Sequence, residues 1–398
     1  MADCRRRVLH SLPPEARIPF MRRKLVIAGG GIGGLAAAVA LDRAGEDVAV
    51  HERAPAFCDV GAGMSLWPNA TRILRNWGLL EQVLALGEPV THFDLLCPDG
   101  STISEIPMGS ADSPAVCLHR ADLHRVLRQA LSPEKLVANH GLASFSQAAN
   151  GRVTATFTDG SEVEADGLIG ADGVGSAVLS QLNTGASPVY RGYTIWRGIA
   201  RDVRVGIRGH ISETWGSGRR FGIMPLGKDL VCWYATHNGP AARPDGPSGR
   251  KREIQDLFKG WHDPVSRLIE ATDPETILKN DARDRAPLRR WTHGNVTLLG
   301  DAAHPITPNV GQGACMAIED AACMAKCLKA DGHLGRALLA YERARLPRTR
   351  YVGRQSNRIG AIGQFENPFL VRARNVIARA LLLFSHDMAL NSVYSYQI

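Results

Sequence analysis

Short apolar runs alternating with helix-length apolar stretches organise the first part of the chain. KLVIAG (24–29) reads as a buried strand, LAAAVALDRA (35–44) as a helix and DVAVHE (47–52) as a second strand. Together they predict a βαβ unit opening a parallel sheet. Two short amphipathic helices are expected between Asn69 and Leu86. FDLLCPDGSTISEI (93–106) is patterned as a hairpin, with Asp99-Gly100 as its turn. RADLHRVLRQAL (120–131) has helical spacing. VTATFTDGSEVEADGLIGADG (153–173) predicts a second hairpin about Asp159-Gly160 and a returning core strand. Between residues 185 and 240, YRGYTIWRGIA, RRFGIMPLG and LVCWYAT are rich in strand formers and predict an antiparallel sheet. A Pro/Gly-rich loop from Gly239 to Gly249 leads to helices near 250–271, and after a strand at 295–301 the pattern is helical to the end.

This order predicts an α/β chain in which antiparallel excursions interrupt a nucleotide-binding domain. The expected division is a nucleotide domain of 21–87, 111–180 and 286–360, a sheet domain of 88–110 and 181–285, and a helical segment over 361–398. Residues 1–20 read as an extension: Arg5, Arg6 and Arg7 imitate a signal-peptide start, but no apolar core follows, and Met21 is a plausible functional start.

Composition narrows the function classes. The chain has 398 residues, 44% hydrophobic and 22% charged, as in folded enzymes. Its net charge of +8 suits anionic ligands. The basic residues are dispersed, so nucleic-acid binding is not expected. The eight cysteines form no CxxC pair and no metal-ligand spacing, which fits a reduced cytoplasmic setting and no metal. No apolar stretch is long enough to span a membrane.

Three motifs carry chemistry. The first, Gly29-Gly30-Gly31-Ile32-Gly33-Gly34, satisfies GxGxxG between strand and helix. Gly29 permits the tight turn, Gly31 the approach to a pyrophosphate, and Gly34 close helix–sheet packing. Glu52 ends the next strand, where a carboxylate accepts ribose hydroxyls and repels a 2′-phosphate; the tightly held nucleotide is therefore FAD or NAD. The second, LIGADGVGSAVL (168–179), brings Asp172-Gly173 to the ligand-binding end of a strand, either as a cofactor contact or as a turn. The third is NVTLLGDAAHPITPNVGQGACMAIEDA (295–321). Asp301 offers a carboxylate to a sugar-like chain, and the helix opening at Gly311-Gln312-Gly313 aims its positive end at a neighbouring anion. A ribityl chain and a reduced flavin ring need both.

GGGIGG, GADG and LLGDAAHPITPNVGQG occur in the order of the class A FAD-dependent aromatic hydroxylases, and the chain resembles that family over residues 24–360. GAGMSLWPNA (61–70) and YRGYTIWRG (190–198) resemble the branch of urate, salicylate and hydroxynicotinate hydroxylases and zeaxanthin epoxidase. The resemblance implies a Rossmann-like FAD domain of PHBH type with an inserted antiparallel substrate sheet. It also implies an NAD(P)H-dependent monooxygenase that uses O2, through a flavin C4a-hydroperoxide, to hydroxylate a small aromatic or heteroaromatic substrate. By position it assigns FAD contacts to Gly33, Glu52, Arg53, Gly63, Ser65, Arg120, Asp301, Gly311, Gln312, Gly313 and Ala314, with Leu142 near the adenine. Where the family continues its DG motif with arginine this chain has Leu179, and it has Gly175 where histidine is frequent; this bears on whether NADH or NADPH is used.

Candidate pocket residues lie in the sheet excursion: Tyr193, Trp196, Arg197, Trp215, Arg220, Met224, Trp233 and Tyr234. Each aromatic serves either the pocket or the sheet core. An apolar wall with one or two arginines suits a planar, anionic or phenolic molecule, and Arg220, if buried, needs an anionic partner that the substrate is expected to supply. His304, beside Pro305, is either a base or an orienting residue of its loop. FLVRARNVIARALLLF (369–384) is a basic amphipathic helix expected to pack on the protein or on a partner, in a monomer or homodimer. The alternatives left open are an epoxidase, an oxidase or dehydrogenase without oxygen insertion, and a flavin-binding regulatory module. A flavin-dependent halogenase is disfavoured because no WxWxIP segment occurs.

Overall fold

The computed structural model describes residues 22–57, 61–110, 112–182, 187–203, 206–384 and 391–398; the expected extension lies outside them. Five parallel strands form the first sheet, in the spatial order Val296–Leu298, Gly167–Gly170, Lys24–Ala28, Asp47–His51 and Leu136–Val137. Leu25, Val26 and Ile27 are fully buried, as befits a strand covered on both faces. The helix Ile32–Arg43 crosses between the first two strands of the chain and packs against the helix Gly313–Ala330. Alanines 36, 37, 38 and 40 are buried along it, and their small side chains allow the close approach. The expected hairpin about Asp159-Gly160 belongs to a separate three-stranded antiparallel sheet.

The second large sheet has seven strands: Leu278–Arg285, Pro188–Arg201, Leu230–Asn238, Arg219–Gly227, His210–Trp215, His92–Leu96 and Thr102–Pro107, in spatial order. Its pairings are antiparallel except that His210–Trp215 runs parallel to His92–Leu96, so the sheet expected to be antiparallel is mixed. Joining the 92–107 hairpin to strands a hundred residues later requires no tight turn, which removes the constraint towards antiparallel order.

Side-chain alternation divides this sheet's two faces. Trp196, Phe221, Ile223, Trp233 and Ala235 point into a core closed by the helices Gly249–Leu257 and Val265–Glu270. Their neighbours Arg197, Arg220, Met224 and Tyr234 point into a cavity. Trp196 and Trp233, candidates for the pocket on composition, are therefore core residues, 1% and 0% exposed. The Trp233 indole donates to Thr272 Oγ1 at 2.8 Å.

The long helix Leu334–Gly363 and the helix Pro368–Phe384 follow the Rossmann-type sheet. The second of these packs on the strand Thr102–Pro107, so the amphipathic segment covers the protein's own sheet edge.

Candidate active site

At the first turn, Gly29 takes φ +105° and its N–H donates to His51 O at 2.8 Å. A Cβ there would lie 2.4 Å from Ala171 O, and one at Gly34 would lie 1.9 Å from Gly29 O. Both glycines are imposed by backbone approach. Gly31 caps the following helix, whose first turn has neither a capping side chain nor an acid, leaving its N–H groups to a ligand. The nearest atom to a Cβ on Gly31 is Nη2 of Arg120, at 3.9 Å. A glycine-backed loop with open amides and a guanidinium above it fits a pyrophosphate. Glu52 accepts from Gly30 N at 2.6 Å and Ala54 N at 2.9 Å, which fixes its carboxylate beside that loop. Gly33 lies against Leu299, Arg53 is exposed with Gly141 behind it, and Leu142 begins the adjoining strand half-buried.

The other half of the cradle is built around Asp301. Gly300 and Gly311 both take left-handed backbone, at φ +61° and +60°, and between them the chain turns into the helix Gly313–Ala330. That helix also starts without a side-chain cap or an acid in its first turn. Gln312, Gly313 and Ala314 line the cavity there, facing Gly63 and Ser65. Ser65 and Trp67 crowd Gly311, and Trp67 Nε1 donates to its carbonyl at 3.1 Å. Asp301 is exposed, but only into the cavity. Surrounding protein raises its pKa above the usual carboxylate value, with His304, Arg120 and Arg285 opposing the shift.

Behind this loop lies a buried ionic cluster. His304 Nε2 meets Asp320 Oδ2 at 2.5 Å, and Gly300 N donates to the same oxygen at 3.0 Å. Arg345 bridges Asp320 and Glu319, at 2.7 Å each, while Arg348 holds Glu319 at 2.9 Å. Burial works against the Asp320 charge, but His304 and Arg345 hold its pKa down to about 2. His304 thus orients the Asp301 loop through Asp320. Neither it nor Pro305, which is buried and accepts from Arg285 N at 3.3 Å, lines the cavity.

The cavity encloses about 1650 Å³ and joins the Asp301 cradle to the inner face of the seven-stranded sheet. Arg197, Trp215, Arg220, Met224 and Tyr234 all line it. Arg220, 2% exposed, already has its anion: Nη1 bonds Glu213 at 3.0 Å, with Nε on Gln364 at 2.9 Å and Nη2 on Asn309 at 2.7 Å. The expectation that a substrate must neutralise it is therefore corrected, because Glu213 comes from the partner strand of the same hairpin. Tyr193 is not on this cavity; its hydroxyl donates to Asn309 at 3.1 Å and it lines a smaller cavity of about 450 Å³. Asp172 is used as a cap, accepting from Ala177 N at 2.7 Å and Val178 N at 3.3 Å.

Residues 22–356 match the model of the FAD binding domain family. The chain belongs to that family. It is 42% identical to aurachin C monooxygenase/isomerase of Stigmatella aurantiaca, covering 90% of this chain and 94% of that protein. It is 34% identical to 6-hydroxynicotinate 3-monooxygenase of Pseudomonas fluorescens, over 84% and 90%. Klebsiella pneumoniae HpxO, solved with FAD and uric acid, superposes with a TM-score of 0.84 at 27% identity, over 94% and 95% of the two chains. The protein is an FAD-dependent monooxygenase of the class A flavoprotein fold. The two open helix ends, the Arg120 guanidinium and the Asp301 carboxylate fit that cofactor.

Several site residues escaped the sequence. Glu213 and Gln364 had no motif to announce them, and Asn309, inside the third motif, was not singled out there. Arg285, on the polar strand Leu278–Arg285, donates to Val174 O at 2.6 Å and Ala302 O at 3.1 Å. It thereby ties the segment after the DG motif to the Asp301 loop, and Leu179, further along the same segment, is buried. Among the described residues no helix is long and apolar enough to cross a membrane, and no metal-ligating cluster occurs.

Proposed function

We propose that the substrate is a planar, uncharged hydroxylated aromatic or heteroaromatic ring, hydroxylated in the cavity between the Asp301 loop and the face carrying Arg197, Met224 and Tyr234. The observation that carries this is the closed Arg220–Glu213 pair, which leaves Arg220 without a net charge to offer an anion. A ring carboxylate entering beside Glu213 would meet a buried like charge. Burial pushes the Tyr234 phenol well above its ordinary pKa, so it stays protonated beside Glu213. It can therefore donate a hydrogen bond but supplies no base.

FAD held in this cradle would supply the redox chemistry, taking hydride from NAD(P)H and activating O2. The chain's own part is placement. Arg120 and the first helix's amides hold the pyrophosphate, while Asp301 takes the sugar chain. The amides of Gln312, Gly313 and Ala314, at the open end of the helix Gly313–Ala330, would face negative charge on the cofactor's ring system. Met224, Ile195 and Trp215 give the cavity apolar walls that limit water near the reacting centre.

The test is NAD(P)H oxidation with matched pairs of neutral phenols and ring carboxylates, with products analysed for one added oxygen atom. Neutral phenols should be hydroxylated in preference, and Glu213→Gln should shift the preference towards carboxylates. NAD(P)H consumption without oxygenated product from any ring would overturn the reading.

A further inference from the structure

Beyond the flavin cradle and the ring face, the cavity continues along a second wall. One side is formed by Phe93, Ile106 and Met108, on or just beyond the outer strands of the seven-stranded sheet. The other is formed by Leu370, Ala373 and Ile377 of the helix Pro368–Phe384. These three helix positions share one face and extend over about 10 Å at the helical rise. Leu370 and Ile377 remain 48% and 55% exposed although they line the cavity.

The helix is fastened in place. Arg374, 5% exposed, donates to Gly363 O at 3.1 Å and Gly216 O at 3.3 Å, and its guanidinium lies 5.0 Å from the Trp215 ring centroid. Asn375 reaches Cys97 Sγ at 3.5 Å. The helix's first amides are capped by Asn367. The wall's one buried cation is thus occupied by carbonyls and an aromatic face. This apolar wall belongs to the same cavity that Asp301, Arg197, Met224 and Tyr234 line.

We propose that the substrate ring carries an apolar hydrocarbon chain, which lies along the cavity wall made by Leu370, Ala373 and Ile377 of the helix and by Phe93, Ile106 and Met108 of the sheet edge. This rests on the ring-hydroxylation reading and adds to it the substrate's second half. The ring is placed by the sheet and the chain by the helix, so affinity rises with chain length while the reacting carbon stays fixed.

The test uses the FAD-loaded enzyme and para-alkylphenols from methyl to octyl, with binding read from the change in flavin absorbance and therefore independent of turnover. Each methylene that becomes buried should lower Kd by about fourfold. Ala373→Trp, which puts bulk onto the cavity-lining helix face, should flatten that dependence for the longer chains. Val376→Trp, on the outward face at 64% exposure, should preserve it. A Kd that does not change with chain length, or a dependence that Ala373→Trp leaves intact, overturns the proposal. Oxygenated product with no chain-length dependence removes the chain site and keeps the hydroxylase. Chain-dependent binding with no oxygenated product supports the chain site and removes the hydroxylation reading.

Discussion

Replacing Arg345 by Met tests whether the ionic cluster behind the Asp301 loop sustains the site. The guanidinium is fully buried and touches Glu319 and Asp320 at 2.7 Å each. Burial opposes its charge, and the two carboxylates more than restore it. Met matches much of its volume, so the cavity term is small and the electrostatic term dominates. Breaking a buried pair by removing one partner costs about 3–5 kcal/mol. Arg348 still neutralises Glu319 and His304 still faces Asp320, which places the expectation at the lower end, roughly 3 kcal/mol. For a chain of this length unfolding as one unit, that lowers Tm by roughly 4 °C.

The pH dependence gives a sharper test. In the native protein Asp320, held down to about 2, contributes about 2 kcal/mol of stability that is complete above the ordinary carboxylate pKa and lost as pH falls towards 2. Without Arg345 the folded-state pKa rises. The variant's deficit should therefore shrink as acid protonates the buried carboxylate and widen towards neutral pH. Thermal unfolding of both FAD-loaded proteins between about pH 4.5 and 8 is the assay. A Tm within a degree or so of the parent at all pH values would refute the account. So would a deficit that grows in acid.

Other expectations follow from the cradle. Gly34→Ala puts a methyl 1.9 Å from Gly29 O, so the variant should purify without flavin or fail to fold; a normal flavin content by absorbance would refute the packing argument. Asp301→Ala should purify with reduced flavin content while keeping its circular dichroism, and full occupancy would remove the carboxylate from the sugar site. Arg120→Ala should raise the FAD Kd by about 10- to 100-fold, the worth of a charge-assisted contact, read by flavin fluorescence during dialysis. An unchanged Kd would place the guanidinium elsewhere.

The βαβ unit and the glycines of its motif were legible because close backbone approach there admits no side chain. Gly29 and Gly34 illustrate this: a Cβ on either strikes backbone a few residues or one strand away. The strand Leu278–Arg285 was not legible. LKNDARDR has no apolar alternation, because an edge strand is satisfied by one neighbour and can present charge to solvent. Arg220 was legible as a buried cation but its partner was not. Glu213 reaches it only through the register that sets Trp215 opposite Arg220 across a hairpin, and no sequence spacing encodes that register. The amphipathic pattern at 369–384 announced a covered face, but not that a cavity lay beneath it.

The alternation of side chains along Pro188–Arg201, Arg219–Gly227 and Leu230–Asn238 also bears on how such an enzyme diversifies. In their middle stretches cavity-lining positions (Ile195, Arg197, Arg220, Met224, Tyr234 and Thr236) alternate with core positions (Trp196, Phe221, Ile223, Trp233 and Ala235). Exchanges at Arg197, Met224 or Tyr234 therefore retune selectivity at little thermodynamic cost, while Trp196, Phe221 and Trp233 keep the scaffold rigid. One ribbon of chain thus carries two independent selective pressures, and new substrates can be explored without renegotiating the fold.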